Sequence, residues 1–141
     1  MSFSVAAEHS ILALIFNATA WANLADNTAT APLTNLQLSL HTADPTGGTQ
    51  GSAETAYTSY ARAPVARTTG GFTVTGAAAT LTAPLNFAAG TGGGDTVSYF
   101  GIGNVATGAT SLLIAGTVTP NITTGTGITP QLTTATSITL S

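Results

Sequence analysis

The chain is 141 residues long, which suits one domain able to bury a core without disulfide or metal staples. Charged residues make up only 5 % of it, against about 25 % in an ordinary soluble domain, and Arg62 and Arg67 are its only cations other than histidine, at a net charge of −3. That leaves no basic stripe for a nucleic-acid backbone and no polybasic patch for an anionic membrane, while the lack of cysteine removes disulfides, thiolate metal sites and cysteine nucleophiles.

The first twenty-odd residues read as a helix. Ser4 suits the N-cap, because its hydroxyl can accept an orphan backbone N–H. Ile11, Leu14, Ile15, Ala18 and Ala22 fall on one stripe at helical spacing, which Leu12 and Phe16 widen. Glu8 sits near the start, where the helix dipole favours an acid. A short amphipathic helix must bury that stripe somewhere, on its own β domain or on a neighbouring subunit. Ile11, Leu14, Ile15 and Trp21 are therefore the candidate partner interface. The longest apolar run, Ile11–Phe16, falls short of the roughly 18 residues a spanning helix needs. With no Lys or Arg ahead of it, a secretory signal is not expected. Thr19 to Pro32 reads as a frayed end and loop, so residues 1–32 form an N-terminal helical arm.

From Leu33 the period changes to two. Leu36, Leu38 and Leu40 alternate with Gln37, Ser39 and His41, and Asp44-Pro45 with Gly47-Gly48 turns the chain. Thr46 to Thr55 reads as a long exposed loop. Tyr60 to Thr69 is a second strand that Pro64 assigns to an edge or bulge, and Phe72–Thr75 alternates again after Gly70-Gly71. Ala79–Leu81 and Leu85–Phe87 are short strands, Gly90 to Gly94 a flexible tip, and Thr96–Gly103, Ser111–Val118, Gly125–Leu132 and Ser137–Leu140 complete the series. About eight short strands with turn signals every ten or so residues describe an all-β sandwich or jelly-roll-like antiparallel domain over 33–141, behind a short N-terminal helix.

The residues that could carry chemistry are few. His41 and Asp44 lie near each other at a strand end, yet no G-x-S-x-G elbow accompanies them. Asp44 is expected to cap its own turn and to pair with Arg62 on the second strand, with His41 on the solvent face. His41, Asp44 and Glu54 lack any metal-ligand spacing. The run from Gly90 to Asp95 has neither the lysine of a phosphate loop nor a following helix. Trp21, Tyr57, Tyr60 and Tyr99 could stack on sugars, but they fit better the core or rim of a small sandwich. These features predict no catalytic, metal or cofactor site, and a protein that is not an enzyme.

Several phrases together carry a resemblance. Met1-Ser2-Phe3-Ser4 leads into the helix, followed by Leu38-Ser39-Leu40-His41-Thr42-Ala43-Asp44-Pro45 and Tyr60-Ala61-Arg62. Later come Thr96-Val97-Ser98-Tyr99-Phe100-Gly101-Ile102-Gly103, Leu112-Leu113-Ile114-Ala115-Gly116, Gly127-Ile128-Thr129-Pro130 and Ser137-Ile138-Thr139-Leu140. In this order the chain resembles, over nearly its whole length, a family of small tailed-phage virion proteins labelled tail fibre proteins or capsid cement (decoration) proteins. The resemblance implies a β-sandwich or jelly roll that acts without catalysis. As a cement protein it would be a dimer or trimer on the outer surface of the capsid, binding and stabilising the major capsid protein lattice. As a tail, fibre or neck component it would be a glycan-binding or connector module.

Overall fold

The computed structural model describes residues 4–21, 32–109 and 112–140. Ala22, Ser111 and most of the loop expected between Thr19 and Pro32 lie outside the described residues. In chain order the elements are α1 (Val5–Asn17), β1 (Asn35–His41), β2 (Ala63–Ala66), β3 (Phe72–Thr75), β4 (Ala78–Leu81), β5 (Leu85–Asn86), β6 (Thr96–Gly103), β7 (Leu112–Thr123), β8 (Gln131–Leu132) and β9 (Ser137–Thr139). The protein is all-β with one short N-terminal helix, and its sheets pair antiparallel. Contacts group the chain into two compact units, one of Met1–Asn35, Val65–Pro84 and Thr133–Ser141, the other of Leu36–Pro64 and Leu85–Leu132.

The first unit sets α1 on a sheet of order β3-β4-β9. Ser4 starts the helix as N-cap, its hydroxyl accepting from the Ala7 amide at 3.3 Å. Ala18 ends it in the left-handed region at φ 53°. The helix buries Leu12 and Phe16 completely, and Phe16 meets Phe72 of β3 edge-to-face at 4.8 Å between ring centres. The strands follow the period of two read from the sequence. Phe72, Ala79, Leu81 and Ile138 point inward, while Thr73 and Thr75 are not buried. Register pairs Phe72 with Leu81 and Ala79 with Ile138, which brings the inward residues of all three strands to one side. Arg67 closes the helix's other end. Its guanidinium donates to the carbonyls of Leu14, Ile15 and Leu33, each at 2.7 Å. The first two belong to the last turn of α1, whose carbonyls have no partner within the helix and where the dipole favours a cation.

The second unit holds β1 from Leu36, β6 and β7, neighbours in that order in one sheet, and a two-stranded sheet β5-β8. Leu38 pairs with Ile102 and Leu40 with Phe100, so one face carries a buried apolar row with Leu36. The other face of β1 departs from expectation. The alternation puts Ser39 and His41 toward solvent, yet both are 0 % exposed, because residues beyond the strand fold back over them. The loop expected to be exposed between Thr46 and Thr55 is accordingly buried at Gln50 and Thr55. The strand expected over Tyr60 to Thr69 forms only at Ala63–Ala66, and the one over Gly125–Leu132 only at Gln131–Leu132. β7 runs longer than expected, to Thr123.

Candidate functional site

A polar cluster forms where the segment Gly48–Arg62 covers the second face of β1. Its anchor is a bridge between His41 and Glu54, with the Thr42 amide donating to the Ala53 carbonyl at 2.8 Å and the Thr55 amide to the Leu40 carbonyl at 2.9 Å. These backbone bonds fix Glu54 next to the strand. Tyr60 and Arg62, two residues apart, then reach the same carboxylate. Arg62 Nε donates to Glu54 Oε1 at 2.8 Å and Nη2 to Oε2 at 2.7 Å, while the Tyr60 hydroxyl donates to Oε1 at 2.8 Å. The planar guanidinium matches the carboxylate as a fork, a geometry lysine cannot reproduce. Glu54 holds the Arg62 proton more tightly than usual, and burial pushes the Tyr60 phenol up.

The remaining donors of Arg62 reach the Val105 carbonyl at 2.9 Å, the Gly108 carbonyl at 2.8 Å and Gln50 Oε1 at 3.3 Å. Gln50 passes the network on, donating to the Gln37 carbonyl at 2.7 Å and to Ser39 Oγ at 3.1 Å. Ser39 Oγ lies 2.8 Å from His41 Nε2, and His41 Nδ1 lies 2.8 Å from the Ser52 carbonyl. Burial lowers the His41 pKa from its ordinary value, more than the Ser52 carbonyl and Glu54 raise it. Gly101 of β6 makes the room: a Cβ there would lie 2.5 Å from His41 Nε2 and 2.8 Å from Ser39 Oγ.

The Ser39–His41 spacing is that of a nucleophile and its base. Both side chains, however, are 0 % exposed, and the second imidazole nitrogen faces a carbonyl instead of a carboxylate. No buried side-chain polar atom among the described residues lacks a partner. The cluster is a closed internal network that ties three stretches of chain together.

The sequence reading tied Arg62 to Asp44. In the structure the carboxylate on Arg62 is Glu54, and Asp44 Oδ1 instead accepts from the Thr46 amide at 2.9 Å, which lowers the Asp44 pKa. His41, Asp44 and Glu54 do not converge, because Arg62 and Tyr60 occupy Glu54. Gln50, Glu54 and Tyr60 were not singled out as members of such a network. The scarcity of charge was the available signal: in a chain with two cations and five acids, each cation is a strong candidate for a built partnership.

The Gly90–Asp95 run is also held internally. Asp95 Oδ1 accepts from Thr55 Oγ1 at 2.6 Å and Thr124 Oγ1 at 2.8 Å, and Oδ2 from the Ala56 amide at 3.3 Å. Burial alone would raise the Asp95 pKa, but those three donors together hold it below the usual carboxylate range. Among the aromatics, Tyr57 is buried with its hydroxyl on the Ala88 carbonyl, and the Tyr60 hydroxyl belongs to the Glu54 cluster. Trp21 and Tyr99 are half-buried. On α1, Ile11, Leu14 and Ile15 are half-buried, flanking the buried Leu12, Ala13 and Phe16.

Much of what the second unit offers outward is uncharged, the exposed Asp44 excepted. β7, a 12-residue strand without a charged residue, forms an outer edge of its sheet and buries no residue fully. Leu113 on it is 48 % exposed, and Val105, in the turn before it, 42 %. Over residues 2–140 the chain matches the model of a family described as Gp80, podophage GP4 fiber I protein gp80. No curated protein matches it.

Proposed function

Because the chain belongs to the podophage GP4 fiber I protein gp80 family, and so to the structural proteins of phage virions, we propose that it works without catalysis as a connector in a tail fibre or at its attachment to the particle. The observation that carries this reading is the inward use of its polar chemistry. Both arginines, Glu54, Asp95 and the Ser39–His41 pair are engaged within the chain, so the outer surface is left largely to Thr, Ala, Gly and scattered apolar side chains. Such a surface suits a neighbour that covers it, because little charge need be desolvated at the contact.

A connector is favoured over a glycan-stacking module. Tyr57 is buried and the Tyr60 hydroxyl is committed to Glu54, which withdraws two of the four aromatics that could have formed a sugar platform. Ile11, Leu14, Ile15 and Trp21, half-buried, are what the N-terminal segment would present to a sister subunit.

The low surface charge equally suits a cement protein bound to the major capsid protein on the outer face of the capsid, where binding to the assembled shell stabilises it by mass action. Copy number decides between the two. Quantifying this protein against the major capsid protein in purified virions should give a small fixed number per particle for a fibre component. A ratio near one-to-one would replace the connector reading with the cement one.

A further inference from the structure

We infer that the outer edge of β7 between Leu112 and Thr117 is a pairing surface for the same strand of a second copy of this chain; the inference deepens the proposed structural role and rests on it. β6 occupies one edge of β7, in a register that runs from Gly103↔Leu112 and Ile102↔Ile114 to Tyr99↔Thr117. Among the described residues no strand pairs with the other edge. A strand edge carries alternating N–H and C=O groups that an extended partner satisfies.

Three features point to a second copy as that partner. Natural edges are commonly defended by lysine or other charge, but this chain has no lysine and β7 has no charged residue. Two copies would therefore bring no like charges into opposition. Second, an antiparallel edge is complementary to itself under a two-fold axis, so the groups that one copy offers are those the other needs. Third, the edge is open over a limited length only. Past Thr117 the register jumps to Val97↔Ile122, which leaves Val118, Thr119, Pro120 and Asn121 opposite Ser98, and Pro120 has no N–H to donate. The run from Leu112 to Thr117 spans about 20 Å at about 3.3 Å per residue. A bounded edge of that length limits pairing to few registers and gives a closed dimer in which two sheets become one. Leu113, 48 % exposed, would lose water on pairing.

The test is the solution mass of the full chain by sedimentation velocity, for wild type, L113K/T117K, the milder T117K and the control T73K on β3, with folding checked by circular dichroism. The inference expects a wild-type dimer or dimer-based oligomer, T73K at the same mass, and a shift toward half that mass, with at least a tenfold weaker self-association, for folded T117K and L113K/T117K. A wild-type oligomer whose mass neither β7 variant changes would overturn the β7 edge and leave self-association to another surface. A monomeric wild type would overturn the inference outright, while the virion copy number still tests the structural role separately.

Discussion

Arg62 and Glu54 form a two-pronged ion pair, at 2.8 Å and 2.7 Å, with the arginine side chain only 3 % exposed and the glutamate 16 %. One guanidinium thereby joins the segment over β1 to the carbonyls of Val105 and Gly108, more than forty residues on in sequence. Such a pair is costly to break from one side, because the abandoned partner keeps its desolvation.

Arg62→Ala should therefore lower the unfolding free energy by about 3 kcal/mol, the low end for a buried pair because Glu54 keeps some solvent. Arg62→Lys should recover less than half of the loss, since an ammonium cannot fork across the carboxylate. Asp44→Ala, which removes only an exposed turn contact, should cost far less than Arg62→Ala. Urea titration of the three variants checks this order; an Asp44 effect as large as that of Arg62 would contradict the geometry.

Tyr60→Phe removes a hydroxyl that donates to Glu54 and accepts from the Leu40 amide at 3.1 Å. The ring keeps its packing on Tyr57 and Phe87. The expected loss is about 1–3 kcal/mol, that of leaving a buried strand amide unpaired. Hydrogen exchange should show the Leu40 amide losing protection beyond the global change.

The His41 and Asp95 environments set a pH dependence. Burial disfavours the His41 imidazolium, so the unfolded chain binds more protons once pH falls below the ordinary histidine value of about 6.5. The neutral-histidine contribution is complete above that value and is lost as pH falls from it toward the lowered folded value. Asp95, held low by Thr55, Thr124 and the Ala56 amide, contributes above its ordinary value of about 3.9 and loses that contribution on further acidification. The urea midpoint should fall from pH 7 to pH 5, and His41→Gln should flatten that part of the curve while lowering stability overall. An equal slope in the variant would remove His41 as the cause.

Phe16→Ala should cost about 3–5 kcal/mol, because it empties a fully buried site against Phe72. Arg67→Ala should cost about 1.5–3 kcal/mol, since three carbonyls lose a charged donor. Near-ultraviolet dichroism and thermal unfolding measure the first; for the second, exchange should quicken in the last turn of α1 before other amides respond.

Gly101→Ala should destabilise the protein more than an ordinary strand glycine substitution would. The added methyl would strike the Ser39–His41 pair and approach Leu112 Cδ1 at 3.0 Å. The expected loss is about 1–3 kcal/mol, from overpacking. Pairing with Ser39→Gly in a double-mutant cycle should recover part of it.

The linear chain by itself determined the class of fold. The helical spacing of Ile11, Leu14 and Ile15, which Leu12 and Phe16 widen, wrote the helix, the alternation of Leu36, Leu38 and Leu40 wrote β1, and composition alone set the scarcity of charge. Those properties are local or additive, so periodicity and composition carry them. The fate of the rare charges was not local. Asp44 and Glu54 are both near His41 in sequence, and only the return of Gly48–Arg62 across β1, held by the His41–Glu54 bridge, made Glu54 the partner of Arg62. The same return buried Ser39 and His41 on a face that a period of two assigns to water. Which side of a strand is wet depends on what the rest of the chain lays over it, and that is decided by long-range packing.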